Sequence, residues 1–408
     1  MNRIESSIGS YPSDWNLAVF ETVAELKHGY QFRTHDFTKE GIKIFKITQI
    51  QGNGSINLTA CDFIDSSRYD HFEKYKINEG DILMALSGAT IGKIARYKSN
   101  ETVLQNYRVG NFIPHDVDRL NKDYFYYFLC TEYIYQQVLA NQTQSAQENV
   151  GKEDIHKMYL FLPPPKEQAA IAEVLCSLDD KIDLLHQQNQ KLEELAEILY
   201  RQWFIVEADL EGEEVFLSDV ADHHKKNIKP FENPFQEYFH YSIPAFDDGQ
   251  NPQVEVGSTI LSNKYQVITN SILISKLNPR FPRVWQISKP IDEEVSICST
   301  EFQVAVPREQ RWFAFIYYFL KSRPVTDELI GAAGGTSGSH QRVSPDDIFN
   351  LSFIKPDDTK LSHFHQIVAP NLEKINNNRE QILKLEKLRN TLLPKLMSGE
   401  VRVKMDDK

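Results

Sequence analysis

LPPPKEQAAIAEVLCSLDDKIDLLHQQNQKLEELAEILYRQWF, Leu162 to Phe204, decides the fold. Prolines punctuate its start, as they do where a helix begins. Within it Ile171, Leu175, Leu178, Ile182, Leu185, Asn189, Leu192, Ala196, Leu199 and Trp203 recur in alternating steps of four and three. That period of about 3.5 residues marks a coiled-coil seam on a long helix. A second stretch carries the same phase with more polar residues: Phe364, Val368, Asn371, Ile375, Asn378, Ile382, Leu385, Arg389, Leu392 and Leu396. Packing the two antiparallel, with Asn189 facing Asn378, fixes every other layer. Ile182 then meets Leu385, Leu185 meets Ile382, Leu192 meets Ile375, Leu199 meets Val368, Leu175 meets Leu392, and Trp203 meets Phe364. Only Leu178 with Arg389 and Ala196 with Asn371 are mixed layers. A paired amide in such a seam sets register at some cost in stability.

The sequence upstream of each helix repeats. NEGDILMALSGATIGKIARY, Asn78 to Tyr97, answers TNSILISKLNPRFPRVWQIS, Thr269 to Ser288, and both read as strand, turn and strand. Tyr126-Tyr127-Phe128-Leu129 answers Tyr317-Tyr318-Phe319-Leu320, and Ile155, Pro163 and Ile182 answer Ile348, Pro356 and Ile375. The chain is therefore two copies of one module, a globular part followed by a long helix. Helices of about 38 residues reach roughly 57 Å at 1.5 Å per residue. Antiparallel pairing is expected to set two similar domains at its ends, related by a pseudo-two-fold axis. DNA is the linear partner whose backbone symmetry matches such an object, with half-sites about one helical turn, roughly 34 to 36 Å, apart.

A chain of 408 residues suits two or three domains. Its net charge of -12 argues against nucleic acid until the distribution is read. Lys166 to Glu214 carries 13 acidic and 4 basic side chains, whereas residues 1–165 carry 20 and 17, and residues 215–408 carry 24 and 24. The acid lies on the first helix; the globular parts are nearly neutral and free to present basic faces. Cys61, Cys130, Cys176 and Cys298 show no disulfide or zinc spacing. The longest apolar run, Phe313 to Leu320, is too short for a membrane span, and a soluble, cytoplasmic protein is expected.

Catalytic patterns are scarce. No nucleotide-binding glycine loop, HExxH, GxSxG or amino-methyltransferase motif occurs, and Asn233-Pro234-Phe235 has one proline where that last motif needs two. Asp346, Asp358 and Lys360 form a loose match to metal-dependent nucleases, an alternative reading that requires the three to cluster. His223 with His224, and His363 with His365, read as surface histidines. A scaffold protein with no DNA role is the other alternative.

Candidate DNA contacts are small polar, amide and basic residues on equivalent turns. In the first copy they are Ser87, Gly88, Ala89, Thr90 and Lys93, the run Gln105-Asn106-Tyr107-Arg108, and Lys74, Tyr75 and Lys76. In the second they are Lys276, Asn278, Arg280 and Arg283, the basic run His224, Lys225, Lys226 and Asn227, and the loop Gly334 to Arg342, with Thr336, Ser337, Ser339, His340, Gln341 and Arg342. The polar counterpart of that loop is Gln142 to Gln147.

The stretch Leu162 to Phe204 and the run GDILMALSGATIGKIA, Gly80 to Ala95, resemble the specificity subunit of type I restriction-modification enzymes, and the likeness extends over nearly the whole chain. The second copy, KPDDTKLSHFHQIV, departs from the family pattern by lacking the Glu-Gln found at Glu167-Gln168. The resemblance implies an α+β fold. Target-recognition domains would span 1–161 and 209–357, with coiled-coil helices at 162–208 and 358–398 and a tail at 399–408. It also implies a subunit without catalysis or cofactor of its own. Such a subunit reads a bipartite, asymmetric DNA site and docks two modification subunits, which use S-adenosylmethionine to methylate adenine; restriction subunits that consume ATP with Mg²⁺ join them. On that reading the acidic helix faces protein, since anionic groups repel phosphate.

Overall fold

The computed structural model describes residues 2–52, 54–141, 149–208, 211–334 and 341–404. Two compact units divide the chain: Met1–Ile182 with Lys384–Lys408, and Asp183–Leu383. The two long helices, Pro165–Arg201 and Asp358–Met397, are of 37 and 40 residues. Each unit is thus a globular part completed by a length of both helices.

In the first unit a four-stranded antiparallel sheet has the order Ile94–Arg96, Ile82–Ala85, Val109–Pro114, Ala24–His28. A five-stranded mixed sheet follows the order Phe37–Thr38, Asp62–Ile64, Ile42–Phe45, Val103–Gln105, Lys76–Ile77. The apolar run Ile82–Ala85 is buried at every position because both of its faces are covered. Side chains alternate across a strand. Ile82 and Met84 accordingly join the core under helices Lys122–Leu129 and Glu132–Ala140, while Leu83 and Ala85 join Phe45, Val103 and Val109 between the sheets.

The second unit repeats this plan. Its four-stranded sheet has the order Ala221–His224, Phe302–Pro307, Ser271–Ser275, Val284–Ile287, and its five-stranded sheet Asn227–Ile228, Lys264–Gln266, Ser296–Ser299, Glu237–Tyr241, Gln253–Val256. Ile272 and Ile274 face the core under helix Trp312–Lys321; Leu273 faces Trp285 and Val304 between the sheets. Pair for pair, the hydrogen bonds coincide. Ala85 N–H donates to Lys93 O at 3.0 Å and Ser275 N–H to Arg283 O at 2.9 Å; Val150 N–H donates to Leu86 O at 3.1 Å and Val343 N–H to Lys276 O at 3.1 Å. Gly88 and Asn278 occupy the same turn position, both left-handed at φ 70° and 50°.

Within each unit the helix segments run antiparallel. In the second, Asn378 Nδ2 donates to Asn189 Oδ1 at 2.8 Å, and Trp203 lies 6.1 Å from Phe364, ring to ring. In the first, Arg389 donates to Asp179 at 2.8 Å, and Leu175 and Leu392 share one core. The amide pair therefore falls where the seam places it. One layer differs: Leu372, fully buried, takes the inward place expected of Asn371. The helix must cover the globular core as well as its partner helix, and Leu372 O also accepts from Gln286 Nε2 at 3.4 Å.

The helix starts are anchored by side chains. Glu167, buried, accepts from Trp15 Nε1 at 3.0 Å and from Arg402, which also holds Asp14. Gln168, equally buried, donates to Pro163 O and Arg119 O and accepts from Asn121 N–H. At the corresponding places the second unit has Lys360, which donates to Glu207 O at 3.2 Å, and the buried apolar Leu361.

Candidate nucleic-acid interface

In the first unit the fold gathers three of the proposed contact segments. The turn after Ile82–Ala85 is joined to the turn Asn106–Arg108 by Leu86 N–H donating to Arg108 O at 3.0 Å. Tyr107 N–H donates to Tyr30 O at 2.9 Å, and the Tyr30 ring lies 5.5 Å from Tyr75. Lys74 sits over the Tyr75 ring at 5.0 Å, and Lys76 is exposed beside it. Tyr107, half exposed, stacks on His28 with ring centroids 5.0 Å apart. Ser87 Oγ and Thr90 Oγ1 are buried and have no hydrogen-bond partner among the described residues, an uncommon state for polar atoms that an incoming ligand would relieve. Lys93 is half-buried two residues past the turn. Gln105 behaves differently: it is buried, and its amide donates to Lys27 O at 2.9 Å and Val109 O at 2.8 Å. That side chain holds the turn and offers no edge to a ligand.

In the second unit Lys276, Asn278 and Arg280 share the equivalent turn, with Asn278 Oδ1 buried and without a partner among the described residues. Asn278 N–H donates to Gln341 O at 2.8 Å, so Gln341 borders the same turn. Arg283 and Arg342, expected at DNA, are engaged inside the unit. Arg283 makes a two-pronged pair with Asp247 at 2.7 and 2.8 Å, and Arg342 grips Glu301 at 3.1 to 3.3 Å. Such forked pairs lock a guanidinium in place. Lys225, Lys226 and Asn227 are exposed at the end of Ala221–His224, whose His224 Nε2 is unpartnered. Thr336, Ser337, Ser339 and His340, and the loop Gln142 to Gln147, lie outside the described residues.

The nuclease triad is not assembled as a set of free groups. Asp358 is paired with Arg311 at 2.9 Å and Lys360 bonds Glu207, while Asp346 lies in the short helix Pro345–Phe349. Among the described residues no cluster of three His, Cys, Asp or Glu could hold a metal ion, and no helix is long and apolar enough to cross a membrane.

Sequence reasoning missed the latch formed by Trp15, Glu167 and Arg402, since 235 residues separate its two charged members. It also passed over Tyr30 and His28, whose rings support the first unit's turns.

Known proteins share this organisation. Residues 12–194 match the type I restriction modification DNA specificity domain. Across 98% of the chain and 96% of the relative, the sequence is 27% identical to the type I restriction enzyme MjaIX specificity subunit of Methanocaldococcus jannaschii. The MjaVIII specificity subunit of the same organism is 27% identical over 46% of this chain and 45% of its own. The crystal structure of the type I restriction-modification S subunit from M. genitalium covers 94% of this chain and 96% of that one, with TM-score 0.61 at 15% identity, so the fold is shared. The matched domain, the end-to-end sequence likeness and the two similar α+β units with their long helices make this chain similar to the specificity subunits of type I restriction-modification systems.

Proposed function

We propose that this chain reads an asymmetric, bipartite double-stranded DNA site, one half per globular unit, and docks modification and restriction subunits without catalysing a step itself. The observation that carries this reading is the pair of equivalent turns, alike in backbone and different in side chains. Both hold buried polar atoms without a partner among the described residues: Ser87 Oγ and Thr90 Oγ1 in one, Asn278 Oδ1 in the other. Equivalent backbones give equivalent approach to a duplex, and different side chains give different bases. Lys74, Lys76, Lys225 and Lys226 are exposed and would grip phosphates, which orient the protein without reading sequence.

S-adenosylmethionine, ATP and Mg²⁺ would then belong to the partner subunits. The acidic stretch of the first long helix suits protein docking, because its carboxylates would repel phosphate. Methylome sequencing of a host expressing the chain with its modification subunit tests the division of labour. Replacing residues 1–165 by those of a relative is expected to change one half of the methylated adenine motif. A motif unaltered by the swap refutes the reading.

A further inference from the structure

The equivalent turns differ most at one position. Phe281 and Ile91 are matched by the same backbone bond, Phe281 N–H to Asn278 O at 3.0 Å and Ile91 N–H to Gly88 O at 2.9 Å. Yet Ile91 is 7% exposed, tucked into the core under helix Glu132–Ala140, while Phe281 is 61% exposed. The residue that follows accounts for part of the change. Gly92, at φ 79° with Tyr135 close by, lets the first turn lie against the helix; Pro282 stands in its place in the second.

The second turn is also rigid. Buried Pro279 and exposed Pro282 bracket Arg280 and Phe281, and proline fixes its own φ near -65°. The base of the turn is clamped by the Arg283–Asp247 pair and by Asn278 N–H donating to Gln341 O. Arg280 is exposed and makes no ion pair among the described residues. A large apolar ring is thus held outward on a stiff support, beside a guanidinium and an Asn278 amide oxygen that have no partner among the described residues.

Proteins that deform duplex DNA insert apolar side chains between base pairs and offset the cost of unstacking with contacts to the bent duplex. Stiff presentation lowers the entropy lost on insertion. We propose that Phe281 is an aromatic wedge that stacks into one base step of the half-site read by the second unit, with Arg280 on the adjoining phosphate. The first unit, with Ile91 turned inward, has no wedge at this turn. The inference rests on the DNA-reading role proposed above.

The test uses the full chain assembled with its modification subunit, on duplexes carrying 2-aminopurine at successive positions of the methylated site. Fluorescence is expected to rise at one step, in the half-site that persists when residues 1–165 are exchanged. Phe281→Ala should abolish the rise and weaken binding about tenfold, the range of one aromatic–base stack, while Phe281→Trp keeps both. An unchanged melting curve for Phe281→Ala establishes that the variant folds. Three results overturn the wedge while leaving DNA reading intact: no rise with a complex that binds its site, a rise that survives Phe281→Ala, or a rise in the other half-site. A wild-type complex with no sequence-selective binding overturns the DNA-reading role itself, and the wedge with it.

Discussion

At the start of the first long helix a carboxylate, Glu167, is buried and shared between an indole and a guanidinium; at the start of the second a lysine, Lys360, reaches a half-exposed carboxylate, Glu207. The same position in the repeat thus holds opposite charges, and the partner that arrives after the other helix has reversed to match. Burial separates them. Glu167 is 1% exposed, so its charge must be matched fully, whereas the Lys360 pair stands in water and its neighbour Leu361 fills the core apolarly. A repeat can keep its architecture while one copy anchors a helix with a polar network and the other with an oily contact.

The second unit places its own buried polar group elsewhere, in the seam. Asn378 is fully buried and bonds Asn189, while the first unit's seam carries the Asp179–Arg389 ion pair. The comparison can be broken most directly at Glu167. Glu167→Ala should destabilise the first unit by about 3 kcal/mol, because it leaves a partly buried guanidinium short of a partner and the Trp15 N–H without an acceptor. A urea titration showing a loss under about 1 kcal/mol would erase the distinction between the two helix starts.

A smaller effect is expected from Asn378→Ala, about 1 to 3 kcal/mol, since a buried amide is removed and its partner loses a bond. Thermal or urea unfolding measures it, and a neutral result would mean that the seam is not where the second unit is pinned.

A pH dependence follows at His223 in the second unit. His223 stands where the first unit has Leu26, against the strand position before the helix that covers it; it stacks on Phe349 at 4.4 Å. Burial lowers its pKa to about 4, with Lys225 adding to the depression. The unfolded chain takes up a proton below about pH 6.5 and the folded one does not until about pH 4. Stability should therefore fall as pH drops from about 6.5 to about 4, then level off. His223→Leu should flatten that part of the stability curve, and an unchanged slope in the variant would remove His223 as its source.

The least effect belongs to Lys360→Ala, about 0.2 to 1 kcal/mol, as for other exposed pairs. Equal losses at Lys360 and Glu167 would show that burial does not set the difference.

Periodicity made the helices and their register legible, because a seam residue's neighbours are fixed by spacing alone. The Asn189–Asn378 bond follows from that spacing; Leu372 in place of Asn371 does not, because the globular core beneath it competes for the same helix face. The site was partly legible. Equivalent turns could be recognised by their strand, turn, strand pattern. Which arginines remain free could not, since Arg283 and Arg342 find acids 36 and 41 residues away and the fold alone brings those together. Gln105 looked like a reader of bases and is a brace for the same reason: its acceptors, the Lys27 and Val109 carbonyls, belong to strands that only the sheet aligns.

In the first unit Arg3 donates to the carbonyl of Ser398 at 3.0 Å, and Arg402 to Asp14. Segments nearly 400 residues apart in sequence are therefore neighbours in space. The first unit is thus buttoned across its two stretches of chain, and neither can leave without parting Arg3 from Ser398 and Arg402 from Asp14.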